Sequence, residues 1–208
     1  VRAAYSRTVA RPDFIERSPY LYFDFPEQVS VVGSGALEVT RIKNYDLRFE
    51  YYPSGGEILS FSLFYKDFEK PVERFFNIGN PSNSVEYKNL NSAVAKGFEV
   101  DIRKSLAFIN EKSRVFKNLT ISGNFTALTG DISYLVTKSP FTNQDTTPYV
   151  AAAKRAIQGL APYIFNAGLS YQEAKWGINL AFNRAGRKIV NGGTNATLVQ
   201  YENPRSVL

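Results

Sequence analysis

The 208-residue sequence contains no cysteine, no histidine and no methionine, and a single tryptophan. Without cysteine there is no disulfide, no thiolate nucleophile and no Cys-based metal site, and without histidine the commonest general base and metal ligand is missing. Most familiar catalytic constellations are thereby excluded, and no cofactor is expected. No stretch approaches the ~20 consecutive apolar residues of a membrane helix, and Val1 opens mid-strand with no signal-peptide pattern. The chain is therefore expected either to be soluble or to meet a membrane as strands. The missing initiator methionine and the abrupt ending at "ENPRSVL" lead us to expect a piece of a longer chain.

What is present is aromatic: 16 Phe and 13 Tyr in a chain that is 44% apolar. Such side chains suit a pleated, half-covered surface, so the composition points to β structure. The net charge of +6 raises the question of a polyanionic partner. The basic residues, however, interleave with Asp and Glu in "NYDLRFE" and "GFEVDIRK". No continuous basic stripe results, and no nucleic-acid partner is expected.

Period-two alternation recurs along the chain. Tyr45, Leu47, Phe49 and Tyr51 oppose Asp46, Arg48 and Glu50; after "PSGGE", Leu59, Phe61, Leu63 and Tyr65 oppose Ser60, Ser62 and Lys66. The same two-faced pattern marks Val1–Val9, Phe98–Arg103, Leu119–Thr126, Tyr163–Tyr171 and Trp176–Asn183. Seven strands are predicted, with an eighth beginning near Leu198. Short connections (Pro53–Glu57, Phe108–Lys117, Gln172–Lys175) alternate with long, irregular ones (Arg11–Asn44, Asn77–Ser84, Asp131–Arg155, Asn191–Thr197). Within the third long segment, "YVAAAKRA" reads as a short helical turn because three alanines favour helix.

In an up-and-down antiparallel sheet every other connection emerges at the same end, so one rim is trimmed and the other elaborate. Outer-membrane barrels have this asymmetry. A soluble sandwich of structural or adhesive type also alternates apolar and polar faces. Large aromatics near predicted strand ends (Tyr5, Tyr45, Tyr51, Tyr52, Tyr65, Phe68, Tyr163, Tyr171, Trp176) favour the barrel, since they suit an interfacial girdle. On that reading Leu47 and Phe49 face lipid, while Asp46, Arg48 and Glu50 face a wet interior.

Several strings carry a resemblance. "YSRTVARPDFIERSPYLYFDF", "NYDLRFEYYPSGGEILSFSLFYKDFEKPVE", "YKNLNSAVAKGFEVDIRKSL", "AIQGLAPYIFNAGLSYQ" and "GINLAFNRAGRKI", in that order, resemble the C-terminal half of the barrel in TonB-dependent outer-membrane receptors, particularly of the Bacteroidetes type. The resemblance implies an all-β, antiparallel, up-and-down transmembrane barrel, of which residues 1–208 form a partial C-terminal domain of about seven or eight strands out of 22. It implies a plug domain and a TonB box outside this sequence, energised uptake of a scarce or bulky ligand, and residence in the outer membrane of a Gram-negative bacterium. The partners it implies are the TonB complex through that N-terminal part, the bilayer with its lipopolysaccharide, and a surface lipoprotein. A receptor-like barrel working inside a larger envelope assembly is the alternative task.

Three groups of candidate residues follow. Phe14, Tyr20, Tyr22, Phe23 and Phe25 lie among Asp13, Glu16 and Asp24 on a long loop, and rings beside polar groups offer large contact area to a ligand; the alternative is that they pack the loop. Arg48, Glu50, Glu99, Asp101 and Arg103 are expected to face the lumen, touching the plug or lining a permeation path, with pairing across strands as the alternative. Arg184, Arg187 and Lys188 are candidates for lipopolysaccharide phosphates, with rim solvation as the alternative. "NGGTN" (Asn191–Asn195) lacks the lysine and the strand-to-helix switch of a phosphate loop and reads as a loop tip. The carboxylate pairs Asp13/Glu16 and Glu99/Asp101 form no recognisable catalytic constellation, so no enzyme is expected.

Overall fold

The computed structural model describes residues 1–77, 84–138, 149–193 and 199–208. In chain order the elements are β1 (Arg2–Ala10), α1 (Phe14–Arg17), β2 (Leu21–Asp24), β3 (Val29–Val32), β4 (Thr40–Tyr51), β5 (Ile58–Glu69), β6 (Val72–Asn77), β7 (Ser84–Asn89) and β8 (Ser92–Ser105). They continue with α2 (Arg114–Lys117), β9 (Leu119–Lys138), β10 (Tyr149–Ala156), β11 (Tyr163–Gln172), β12 (Gly177–Ala185), β13 (Lys188–Asn191), β14 (Gln200–Glu202) and β15 (Arg205–Val207). One sheet runs in the order β1-β4-β5-β8-β9-β11-β12-β15, with β10 also paired to β9. All its pairings are antiparallel between sequence neighbours within the sheet. This is an up-and-down wall.

The seven predicted wall strands are present, and most are longer than their alternation suggested. β4 starts at Thr40, and β9 runs twenty residues to Lys138. Backbone pairing continues where side-chain alternation fades, so Tyr5 and Tyr45 sit mid-strand rather than at strand ends. The expected helical turn in "YVAAAKRA" is instead β10, antiparallel to β9 from Lys138 to Asp131. The unpaired edge of the extended β9 satisfies its backbone groups there, and that outweighs the weak helix preference of alanine. The last wall strand is β15 and not a strand near Leu198, a residue outside the described set; β14 pairs with β13 instead. Residues 78–83 of "NIGNPSNS" and most of "KSPFTNQDTTPYV" also lie outside the described residues.

The long connections are not irregular throughout. β2-β3-β7-β6 form a second, four-stranded sheet in which β3 and β7 run parallel although more than fifty residues separate them. Val29, Val31 and Val85 are its buried core. At the opposite rim the β4–β5 turn is tight, with Gly56 at φ 81°, a conformation that costs glycine little.

Register keeps the wall two-faced across its strands. On the apolar face Tyr5, Tyr45 and Tyr65 stand in a row (ring centroids 5.0 and 6.0 Å apart), and below them Phe61, Phe98 and Phe125 make a second row at 6.0 Å spacings. From Tyr45 to Tyr51 this face spans about 20 Å of strand at ~3.4 Å per residue. Ion pairs bound it: Lys43–Asp67 and Arg41–Glu69 on the long-loop side, Lys104–Glu57 on the other. An outer-membrane barrel presents a comparable apolar band of about 25 Å, flanked by aromatics. Among the described residues exposed large apolar side chains outnumber buried ones, which is costly for any face left in water.

Candidate functional site

The other face carries a hydrogen-bonded row that crosses seven strands, because the register sets its members opposite one another. Arg2 pairs with Glu50 (3.3 Å), Glu50 accepts from Arg48 Nε (2.8 Å), and the Arg48 guanidinium also donates to Ser62 Oγ (3.0 Å) and Asp101 (3.3 Å). Ser60, only 1% exposed, donates to Asp101 at 2.8 Å. The Asn124 amide then donates to both Asp101 (2.6 Å) and Glu99 (2.5 Å). Asn166 and Asn183, at directly opposed positions of β9, β11 and β12, continue the chain by donating to Asn124 (3.4 Å) and Asn166 (2.6 Å) respectively. A concavity of about 510 Å3 opens beside this ladder, lined by Asp101, Ser122, Asn124, Asn166, Gly168 and Asn183.

Four of the five predicted wall charges, Arg48, Glu50, Glu99 and Asp101, thus belong to one network. Arg103 lies beyond it towards the short rim, exposed and without an ion pair among the described residues. Sequence reasoning put the serines and asparagines on this face but did not single them out. Their signal was present: a small polar residue at the same parity of each successive strand.

Towards the long-loop rim the same face turns apolar. Ala93, Ile132 and Tyr134 meet Phe75 and Leu90 from the β5–β8 connection, with Phe68, Ala153 and Ile157 packed around them. The connections therefore fold over the wall's polar-face side. Above this core lies a buried polar hub to which all four long connections contribute. Arg74 on β6 grips Glu27 with both terminal nitrogens (3.0 and 2.9 Å) and reaches Asp24 at 3.4 Å, the bidentate geometry that makes guanidinium–carboxylate pairs strong. Glu27 also accepts from Asn191 (2.9 Å), and Asn191, fully buried, donates to Gln200 Oε1 at 2.7 Å.

Next to Arg74, Glu73 accepts from Arg155 at 2.6 Å and from the Gln158 backbone N–H at 2.8 Å; the Glu73 and Arg155 side chains are 5% and 9% exposed. Burial raises the Glu73 carboxyl above its ordinary value, with the Arg155 charge opposing the shift. Gln158 Oε1 accepts from the Arg74 N–H (2.8 Å) while its amide donates to the Val190 carbonyl. Arg155 also lies over the Tyr134 ring at 5.4 Å. At Gly192 a Cβ would meet that guanidinium, which would have to shift away. Beside the hub a cavity of about 410 Å3 reaches Asp13, Glu16, Thr40, Phe68, Glu73 and Gln158. Directly bonded partners in the hub lie up to 164 positions apart, so no local pattern announced it.

The loop aromatics separate into two groups. Tyr22 packs against the Val29/Val31/Val85 core with its hydroxyl 3.5 Å from that of Tyr87, and burial with this contact holds the Tyr87 phenol above its usual range. Phe14, Tyr20, Phe23 and Phe25 are exposed, Phe14 almost completely, and Phe23 meets Phe25 edge-on at 5.1 Å. Phe14 stands on α1, whose start is a capping box between Asp13 and Glu16, which ties down the turn's free N–H groups. Among the predicted basic residues, Arg184 donates to the Tyr163 and Ser206 hydroxyl oxygens (3.3 and 3.4 Å), Arg187 stacks on Tyr201 at 3.7 Å, and Lys188 pairs with Glu202 at 3.0 Å. No three His, Cys, Asp or Glu side chains among the described residues could hold a metal ion together.

A wall with one rim trimmed and the other elaborated matches a known family along residues 1–206, "TonB dependent receptor-like, beta-barrel". The chain belongs to that family. Solved receptors share the fold of this TonB-dependent receptor barrel. A mutant of the ferric enterobactin receptor PfeA from Pseudomonas aeruginosa, in complex with enterobactin, aligns with 98% of the chain at 17% identity and TM-score 0.54. The siderophore receptor PirA from Acinetobacter baumannii aligns with 98% at 13% identity and TM-score 0.52. The chain spans 29% of the former and 31% of the latter. No curated protein sequence matches it. Membership replaces the sandwich alternative with a receptor-type barrel domain and locates that domain in the outer membrane of a Gram-negative bacterium.

Proposed function

We propose that this chain is the C-terminal part of a 22-stranded, plugged barrel, of the Bacteroidetes type suggested by its sequence strings, that imports a scarce or bulky ligand with energy delivered through TonB. The observation that carries the reading is the hub. Four separate connections on one rim are tied into a single buried unit over the wall, which makes the rim a rigid platform for recognition instead of four independent loops. Phe14, Tyr20, Phe23 and Phe25 stand exposed on that platform as the ligand-contacting residues, with Tyr22 anchoring them from beneath. The polar row of Arg48, Glu50, Glu99 and Asp101, with Arg103 below it, faces the lumen and meets the plug, while the Tyr45–Tyr51 face meets lipid. Arg184, Arg187 and Lys188, just beyond the apolar band, face lipopolysaccharide phosphates, and a surface lipoprotein covers the loops.

The test is growth of a strain lacking the full-length receptor on a panel of ferric siderophores, cobalamin and oligosaccharides, with and without TonB. Use of one nutrient should require both proteins, and Phe14→Ala with Phe25→Ala in the intact receptor should reduce its uptake about tenfold. A receptor deletion with no TonB-dependent nutrient defect, together with recovery of the protein in a stable larger envelope complex, would replace transport by the assembly role.

A further inference from the structure

The trimmed rim carries one connection that is not minimal. Between β8 and β9 the chain bulges out over residues 106–118 and includes α2, exposing Phe108, Ile109 and Val115 at 64%, 53% and 55%. This bulge is tied to the wall's apolar face at two points. Lys104, which shares that face with Val100 and Ile102, lies over the Phe108 ring at 5.4 Å and pairs with Glu57 at 2.7 Å. Arg114 on α2 pairs with Glu173 at 2.8 Å, and Glu173 accepts from the Tyr171 hydroxyl at 2.6 Å. Tyr171 in turn meets Trp176 at 5.1 Å. The bulge is therefore continuous with the aromatic edge of the lipid-facing band. Lys112, Lys117 and Lys175 around it are exposed and make no ion pair among the described residues, and neither does the exposed Glu111; Glu57 and Glu173 are already engaged, so the unpaired charges of the bulge sum to a positive excess.

We infer that the β8–β9 connection is an interfacial anchor that takes the anionic headgroups of phospholipids in the leaflet at the short-connection rim, Phe108, Ile109 and Val115 entering the acyl boundary and Lys112, Lys117 and Lys175 holding the phosphates. Apolar side chains flanked by free cations, at the edge of a lipid-facing band, match that chemistry. The exposed aromatics and aliphatics would be an unexplained cost in water. The inference rests on the membrane-wall reading of the preceding section and adds a lipid preference to it.

The test is native mass spectrometry of the full-length receptor released from detergent micelles doped equally with phosphatidylglycerol and phosphatidylcholine. The wild type should retain phosphatidylglycerol in preference to phosphatidylcholine. Lys112→Gln/Lys117→Gln/Lys175→Gln should lower that preference at least tenfold, since each lysine near an anionic surface contributes roughly fivefold. Phe108→Ser/Ile109→Ser should lower retention of both lipids. Equal retention of the two lipids by the wild type, or a preference that survives the triple substitution, overturns the anchor and leaves the barrel reading intact. A receptor that stays soluble without detergent and retains neither lipid overturns both.

Discussion

Replacing Glu73 by alanine isolates the contribution of the hub. Glu73 is 6% exposed as a residue and accepts from Arg155 at 2.6 Å and from the Gln158 N–H at 2.8 Å. Its loss leaves the Arg155 guanidinium, 9% exposed, without a counter-charge, and leaves the Gln158 N–H without its acceptor. Breaking one half of a buried pair costs about 3–5 kcal/mol, most of it from the charge left behind. The pair joins β6 to the end of β10, and the Gln158 N–H adds the segment that follows, so the cost appears as local opening of those connections and not as unfolding of the wall. Under exchange limited by the opening equilibrium, 3–5 kcal/mol corresponds to about two to three and a half orders of magnitude faster amide exchange. Hydrogen–deuterium exchange on the intact receptor should find it in residues 72–77 and 155–160, with β4 and β5 unchanged. Removing both charges, Glu73→Leu with Arg155→Met, should recover most of the protection, because no orphaned charge remains. Less than tenfold acceleration in Glu73→Ala, or a double variant as open as the single one, would refute the argument that the pair closes the loops.

Three further outcomes follow from the same geometry. Leu180→Arg, mid-strand on the apolar face of β12 and 57% exposed, should destabilise the reconstituted receptor by about 2–4 kcal/mol in denaturant titration if that face lies in the bilayer, and a change under about 0.5 kcal/mol would place the face elsewhere. Arg48→Ala removes the shared partner of Glu50, Asp101 and Ser62; a loss of about 1–2 kcal/mol is expected, reduced from the full value of charged hydrogen bonds because Arg48 is partly exposed, and a second substitution, Asp101→Asn, should return part of it in the same titration. At the trimmed rim the Lys104 and Tyr171 hydrogen bonds hold the carboxyls of Glu57 and Glu173 below their usual range. A lowered folded value means stabilisation present above the ordinary carboxylate pKa and lost as pH falls through the folded one. Amide protection in residues 104–118, corrected for intrinsic exchange, should therefore drop on acidification below about pH 4.5, and protection that rises instead would reverse the assigned sign.

Alternation along the chain by itself determined the two-faced wall: strand side chains alternate sides with a period of two, so Leu47 and Arg48 had to part, whatever the pairing. Spacing determined the rims, since antiparallel neighbours turn back at alternating ends; the short "PSGGE" and "QEAK" turns and the long segments between them could sit in no other order. Composition excluded thiol and imidazole chemistry outright. What the tertiary structure alone decided is where nonlocal partners meet. Asn124, Asn166 and Asn183 become a ladder only because three strands align in one register, and a shift of a single residue would have turned them to the other face. β10 is a strand because β9 offers an open edge there, a fact invisible to alanine's helix preference. The hub joins Glu27 to Asn191 and Glu73 to Arg155 across segments that share no local pattern. Buried charges must find counter-charges wherever the folded chain brings them, and loop closure sets that meeting point in space, beyond the reach of periodicity.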